Sequence, residues 1–231
     1  MSPLAGATRQ LGRGRARRPA APSLPRRWSR SLRTKRSIDV VGAWIGLVVF
    51  ALPSAVIALL VKTTSPGPVL FRQKRVGQHG LEFELIKFRT MLVGTHDEVL
   101  RQREQQLEYA ENDFKLPADD ARITAVGRVL RKLSVDEIPQ FVNVLRGEMS
   151  LVGIRPVERA QLETRSLADQ LDYTSMRPGL TGSWQIEGRS SMHPRERLAL
   201  DRAYVESWSN WLDLRILLRT PLAVLHIART R

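Results

Sequence analysis

The chain has 231 residues, 42% of them hydrophobic, with 37 Lys and Arg against 23 Asp and Glu, a net charge of +14 and no cysteine. That length suits one domain of ordinary size with room for a tail. The missing thiols exclude disulfide scaffolds, Cys-type zinc sites, thiol nucleophiles and redox pairs, and they fit a cytosolic exposure. His79, His96, His193 and His226 never fall at metal-ligand spacing, so any metal should be a hard one held by carboxylates.

Residues 1–36 hold eleven of the fourteen excess positive charges, ten Arg and one Lys without an acid, and the remaining 195 residues net only +3. An Arg-, Pro- and Ala-rich stretch cannot bury enough surface to order itself, so 1–33 reads as a disordered basic tail. Its chemistry suits a nucleic-acid arm, an organelle transit peptide or a membrane-surface anchor, and the next segment discriminates. Val40 to Val61 are 22 residues without a charge, interrupted by Gly42, Gly46, Pro53 and Ser54. As a straight helix they would reach about 33 Å, against a hydrocarbon core of about 30 Å. A buried core helix rarely presents so long an uncharged run, and a secretory signal has a shorter basic lead and a small-residue cleavage site. Basic residues flank both ends: Arg27, Arg30, Arg33, Lys35 and Arg36 before, Lys62, Arg72, Lys74 and Arg75 after. The positive-inside bias thus places both ends on the cytoplasmic side. Pro53 is placed to kink the run and return it to the face it entered. Residues 34–62 therefore read as a re-entrant membrane helix, with a straight crossing helix as the competing reading.

Beyond Lys62 a turn cluster, 63–68, precedes short strands at 69–71 and 83–88 that pair as a hairpin. Residues 94–116 are helical in composition, 117–120 break the chain, and 126–133 start another helix. Ser134 with Glu137 matches a capping box, so Asp136 and Glu137 should open a helix that runs to Leu145 and stops at Gly147. Helices near 157–172 and 194–207 follow, with a loop at 178–189 in which Gly179, Gly182 and Gly188 read as turn residues. Residues 208–231 form a second apolar stretch, broken by Asp213, Arg215 and Arg219. It suits an interfacial amphipathic helix and equally a core helix, with Asp213 and Arg215 as an ion pair. The expected architecture is α/β, mostly helical with a small β-hairpin, in a monotopic membrane protein with an N-terminal re-entrant helix and amphipathic interfacial helices.

The chemistry concentrates in 122–156, where Arg122, Arg128, Arg131, Gln140, Arg146 and Arg155 surround Asp136 and Glu137. Forked guanidiniums hold oxyanions, and adjacent carboxylates can bind a divalent ion or attack phosphorus. Taken alone, an acidic pair after Ser is also an ordinary complement to a helix dipole. Arg122, Arg128 and Arg131 equally fit substrate phosphate, lipid headgroups or solvent.

The pair does not stand alone. Lys35-Arg36-x-x-Asp39, the Pro-broken apolar run, Ser65-Pro66-Gly67-Pro68-Val69-x-Phe71-Arg72-Gln73-x-Arg75-x-Gly77, Lys87-Phe88-Arg89-Thr90-Met91, Ser134-x-Asp136-Glu137-x-Pro139-Gln140, Pro178-Gly179-x-Thr181-Gly182-x-x-Gln185 and Gly188-Arg189 follow one another in order. Over about residues 34–225 this order resembles the bacterial sugar transferase family, the small monotopic polyprenyl-phosphate phosphoglycosyl transferases. The large N-terminal multi-span portion of some relatives has no counterpart in this sequence.

The resemblance implies transfer of a sugar 1-phosphate from a UDP-sugar to polyprenyl phosphate, with release of UMP, at the cytoplasmic face of the bacterial inner membrane. It makes Asp136 the nucleophile that forms a phosphoglycosyl-aspartyl intermediate, Glu137 its partner, and both the ligands of Mg²⁺. Arg155 and Pro156 match the element near the uridine nucleotide, Lys87 and Arg89 a basic motif near the site, and Asp201 an acidic position there; Arg122 and Gln140 join them as substrate-binding candidates. Taken alone, Lys87 and Arg89 would suit a solvated strand face; with the motif match the resemblance implies that they contact phosphate. Residues 63–207 become the cytosolic catalytic domain, 208–231 its interfacial helix, and the tail an attachment to anionic lipids. Departures are Ile154 in place of the first Pro of a Gly-Pro-Arg-Pro pattern, which predicts a less rigid loop under Arg155, and Val135, Ile138 and Phe141-Val142, which read as repacking. Rival readings are an inactive membrane scaffold and a membrane-tethered nucleic-acid-binding protein. The nearly neutral domain, with Trp28 the tail's lone aromatic, argues against nucleic acid as a partner. A homo-oligomer is compatible with the sequence.

Overall fold

The long apolar run folds as two helices, α1 (Arg26–Val49) and α2 (Ala51–Thr64), joined at Phe50. The computed structural model describes residues 26–93, 120–187 and 192–230. The helix expected at 94–116, Gly188, Arg189 and residues 1–25 of the basic tail lie outside them, while 26–33, also read as tail, are helical. Segments 31–49 and 51–64 meet at 60°. Pro53 brings no N–H to the Val49 carbonyl, whereas Ser54 N–H still reaches Phe50 O at 2.8 Å, so the ladder breaks for about one residue and the axis turns there. Among the described residues no single helix is long and apolar enough to cross a membrane; only this bent pair, taken together, has the length and composition. Ala43, Ile57 and Val61 are buried, but Val48 and Leu52 are 71% and 76% exposed, which separates the pair from an ordinary core helix.

A polar face ties α1 to the rest of the chain. The Lys35 ammonium is 2.6 Å from an Asp213 carboxylate oxygen and donates to the Val152 carbonyl at 2.8 Å, and both side chains are buried. One turn on, Asp39 Oδ1 accepts from Ser150 Oγ and Leu151 N–H, both at 2.9 Å. Between them Arg36 donates to the carbonyls of Val144 and Leu145, which end helix α4 (Gln140–Arg146). A guanidinium there satisfies carbonyls that the helix leaves unpaired. On the adjoining face Gly42 and Gly46 admit close neighbours: a Cβ would lie 2.5 Å from Leu151 Cδ1 at the first and 2.6 Å from the Phe141 ring at the second. Phe141, one of the expected repacking positions, also stacks on Phe50 at the bend, with ring centroids 6.3 Å apart.

Strands β1 (Leu70–Val76) and β2 (Glu82–Phe88) form the expected hairpin, longer than the sequence suggests, in the register Phe71↔Lys87, Gln73↔Leu85 and Arg75↔Phe83. Inward Phe71, Gln73 and Arg75 alternate with outward Arg72 and Lys74. Helix α3 (Ala125–Leu133) is anchored to β2's end by a bridge between Met91 and Ile123. A second, parallel pair is new: β3 (Ser150–Val152) lies beside β4 (Gly179–Thr181). Gly179 is therefore a strand residue, and Gly182 follows directly in the same close approach to Gly153. The single helix expected near 157–172 is two, α5 (Arg159–Glu163) and α6 (Leu167–Ser175). Helices α7 (Ser183–Glu187), α8 (Pro194–Ser207) and α9 (Asn210–Thr230) complete the chain.

Helix α9 has one buried side and one exposed apolar side. Asp213 and Ile216 are buried, while Trp211, Leu218 and Leu222 are about 70% exposed on its other side. The expected Asp213–Arg215 ion pair is replaced by the Lys35 bridge, to which Tyr204 Oη and Trp208 Nε1 add hydrogen bonds at 2.7 and 3.1 Å. An acid buried among such donors takes the cation that shares its burial, and residues two apart on a helix do not face each other. Lys35→Met should therefore destabilise the fold by about 3–5 kcal/mol, because it leaves the buried Asp213 carboxylate without its cation. Thermal unfolding checks this, and a variant as stable as the parent would refute it.

Candidate active site

Asp136 and Glu137 sit on a single 3₁₀ turn, Val135–Glu137, between α3 and α4. The capping box expected at Ser134 does not form: Ser134 adopts the left-handed region (φ 57°), and its backbone N–H closes the end of α3 on the Arg131 carbonyl. Gly147 (φ 80°) stops α4 as expected, in the conformation glycine adopts most readily.

The turn holds Asp136 almost out of solvent, 8% exposed, with three cations around it. Burial first, and the Glu137 carboxylate second, push the Asp136 carboxyl up to about 6, against the pull of Lys87, Arg131 and Arg155. Lys87 reaches the site from β2, with its ammonium 5.1 Å from the centre of the Phe71 ring. Burial, then the neighbouring Arg75 charge, bring it down to about 8, although Asp136 draws it back. Arg155 Nη2 is 2.9 Å from Glu137 Oε1, and Arg131 Nε donates to Thr90 Oγ1 at 2.8 Å.

Arg155 and Pro156 lie just after β3 in a loop fixed from two sides. Gly153 N–H donates to Thr181 O at 2.9 Å, and the Ile154 carbonyl accepts from Gly179 N–H at 2.8 Å. Val157 N–H donates to Tyr173 Oη at 3.1 Å, and its carbonyl accepts from Val76 N–H at 3.0 Å. Ile154, expected to loosen this loop, is buried in the core beside Val157 and Tyr173.

These groups line a cleft of about 1610 Å³. One wall is apolar, with Phe50 and Phe141 at the helix bend and Leu217, Pro221, Val224 and Leu225 of α9. Other walls are polar: Gln73 and Arg75 of β1 with Glu158, and Trp184 with Arg197 and Asp201. The cleft thus gathers Lys87, Arg122, Gln140, Arg155, Pro156 and Asp201 around the acidic pair. Gln140 and Asp201 are buried in its walls, at 3% and 8% exposure. Arg122 is ion-paired with Asp120. Arg89 borders the cleft but spends its guanidinium on the Val61, Ser65 and Pro66 carbonyls. Of the three arginines that the sequence left open, Arg131 enters the cleft, while Arg128 is exposed on α3.

Two features escaped sequence reading. Gln73 Nε2 donates to Glu158 Oε1 at 2.7 Å and Arg75 Nη2 to Gln73 Oε1 at 2.7 Å, a polar set legible only as every second residue of β1. The Arg197 guanidinium stacks 5.1 Å over Trp184, inside the loop read only for its glycines. Among the described residues no three His, Asp or Glu cluster as metal ligands. A buried carboxylate with an adjoining one is nevertheless a donor set suited to Mg²⁺, which uses one or two carboxylates and completes its shell with phosphate and water oxygens.

The family model described as Bacterial sugar transferase matches residues 30–227. The chain is 42% identical over 193 residues to the exopolysaccharide production protein ExoY of Rhizobium meliloti, covering 82% of this chain and 84% of ExoY. It is 42% identical over 190 residues to the UDP-galactose-lipid carrier transferase of Erwinia amylovora, covering 80% of this chain but only 39% of that longer protein. It is also 42% identical over 193 residues to the UDP-glucose:undecaprenyl-phosphate glucose-1-phosphate transferase of Caulobacter vibrioides, covering 80% of this chain and 67% of that protein. With its motifs in order and one family model spanning most of its length, the chain belongs to the bacterial sugar transferase family.

Proposed function

We propose that the protein transfers a sugar 1-phosphate from a UDP-sugar to a polyprenyl phosphate of the undecaprenyl type, releasing UMP, as the first membrane step of exopolysaccharide synthesis. The observation that carries this reading is a buried carboxylate, Asp136, with Glu137 adjoining it, faced by Lys87, Arg131 and Arg155 in a cleft with one apolar and two polar walls. An apolar wall suits an isoprenoid, the cations suit a diphosphate, and the name of the Caulobacter relative joins those substrates.

In the proposed mechanism the ionised Asp136 carboxylate attacks the β-phosphorus of the donor. The bond from that phosphorus to the bridging oxygen breaks, UMP leaves, and the sugar phosphate remains as an acyl phosphate on Asp136. An oxygen of polyprenyl phosphate then attacks the same phosphorus, and the aspartate is released unchanged. Lys87, Arg131 and Arg155 offset the charge that accumulates when a carboxylate approaches a diphosphate, and the Glu137–Arg155 pair holds that guanidinium at the cleft. Asp136 and Glu137 would hold Mg²⁺, which when bound neutralises diphosphate oxygens. The bent α1–α2 pair and the exposed apolar side of α9 support seating in one face of a bilayer, which in this reading is the cytoplasmic face of the inner membrane.

Detergent-purified protein supplied with Mg²⁺, undecaprenyl phosphate and a panel of UDP-sugars should release UMP with at least one donor. Asp136→Asn should reduce that release by at least about 10³-fold, and a chelator should abolish it. No release by folded protein with any donor would favour the inactive scaffold.

Lys87 also sets a pH dependence. It is charged below about 8 and loses its proton as pH rises through that value, so kcat/KM for the donor should fall on the alkaline side with an apparent pKa near 8. Lys87→Arg keeps its charge, and its alkaline limb should move upward; a limb that stays in place would exclude Lys87 as its source.

The tail is read as an electrostatic attachment in which each basic residue near an anionic surface contributes about 1 kcal/mol. Deleting residues 1–25 should weaken binding to phosphatidylserine-containing vesicles at low salt, and the difference should vanish at high salt. Equal binding at low salt would refute this role.

A further inference from the structure

Three neighbouring side chains at the end of β2 reach three different parts of the molecule. Lys87 faces the acidic pair. Thr90 receives Arg131 Nε on its hydroxyl, and its carbonyl accepts from Thr124 N–H at 3.1 Å, at the start of α3. Between them Arg89, 5% exposed, points to the end of α2. Its Nη2 donates to the Ser65 carbonyl at 2.7 Å, Ser65 Oγ at 2.8 Å and the Val61 carbonyl at 3.4 Å, and its Nη1 donates to the Pro66 carbonyl at 2.5 Å.

A helix end leaves carbonyls without partners, and a forked guanidinium has enough fixed donors to serve several at once. The turn that follows is shaped around it. Gly67 has φ 117°, a conformation closed to most side chains, and a Cβ there would lie 2.1 Å from Arg89 Nη1. Ser65-Pro66-Gly67-Pro68 is thus a cradle for one guanidinium. Ile57 and Val61 of α2 also pack in one cluster with Phe88, Leu130 and Ile138, the last of them two residues beyond Asp136. Seating of α2 and placement of the reacting groups share the same few residues.

We propose that Arg89 is a positioning residue, locking the end of α2 to the strand that carries Lys87 and, through Thr90, to the helix that carries Arg131. The inference rests on the transfer reaction proposed above and replaces, for Arg89, the phosphate contact that the family resemblance implies. A residue of this kind acts on the geometry of the reacting groups, where a displacement of about 1 Å costs on the order of 10²-fold in rate. Its loss should therefore lower kcat with little change in donor binding.

The test is steady-state UMP release by the full chain carrying Arg89→Lys, Ser65→Ala or both, with kcat and donor KM corrected to the folded fraction by thermal unfolding. Arg89→Lys should lower kcat at least about tenfold while donor KM stays within about twofold, and Ser65→Ala should lower kcat by about two- to fivefold. The double variant should be no slower than Arg89→Lys alone, because both changes remove one shared contact. A rise of about tenfold in donor KM at unchanged kcat in Arg89→Lys, or full multiplication of the two effects, would overturn the proposal in favour of direct phosphate contact. If Arg89→Lys does not fold, Ser65→Ala decides: lower kcat at constant KM supports the lock, and kinetics equal to the parent overturn it. A parent that releases no UMP removes reaction and inference together, whereas an active parent with the overturning kinetics removes the inference alone.

Discussion

Everything distal to the first helix is referenced to three charged side chains on one of its faces. Lys35, Arg36 and Asp39 meet Asp213 of α9, the carbonyls that end α4, and the backbone and hydroxyl at the start of β3. A charge buried at such a position is costly unless matched, and Lys35 is matched by Asp213. Because α4 follows the acidic turn directly and β3 leads into the Arg155 loop, this one face fixes both sides of the carboxylate pair.

The site above that face is an arrangement of opposed burial. Asp136 is withdrawn from water beside another carboxylate, which favours its protonated form, while Lys87 is withdrawn beside Arg75, which favours its neutral form. Each is held toward its charged state chiefly by the other. An incoming anion shifts that balance, because its charge favours the charged form of Lys87 and the protonated form of Asp136.

Sequence reading named residues that share one cleft more readily than it bounded the elements that carry them. The Asp136–Glu137 pair, the hairpin and the bend were legible because each depends on a local pattern, an acidic pair among arginines, short strands about a glycine turn, a proline in an apolar run, whereas Arg155 came only with the order of motifs. The misses are non-local. Nothing near Ser134 announces that the preceding helix will claim it as a left-handed end in place of a cap. Asp213 has Arg215 two residues away yet pairs with Lys35, because burial selects partners by space. Gly179 was read by its local habit as a turn residue, and its actual constraint is Gly153 across a parallel pair. Motif order pointed to Arg89 as part of the site, and only the fold shows its two terminal nitrogens turned toward the carbonyls at and just beyond the end of α2.

The Lys35–Asp213 bridge joins residues 178 positions apart. Synthesis proceeds at about 5–20 residues per second, so the first helix waits about 9–36 s after Lys35 is made before its counter-ion exists. During that interval α1 carries Lys35 without the carboxylate that matches it, although the partners of Asp39 at Ser150 and Leu151 are made earlier. Synthesis of the start of α9 is thereby a precondition of docking α1, and a product that ends short of α9 keeps its first helix while lacking the carboxylate that matches Lys35.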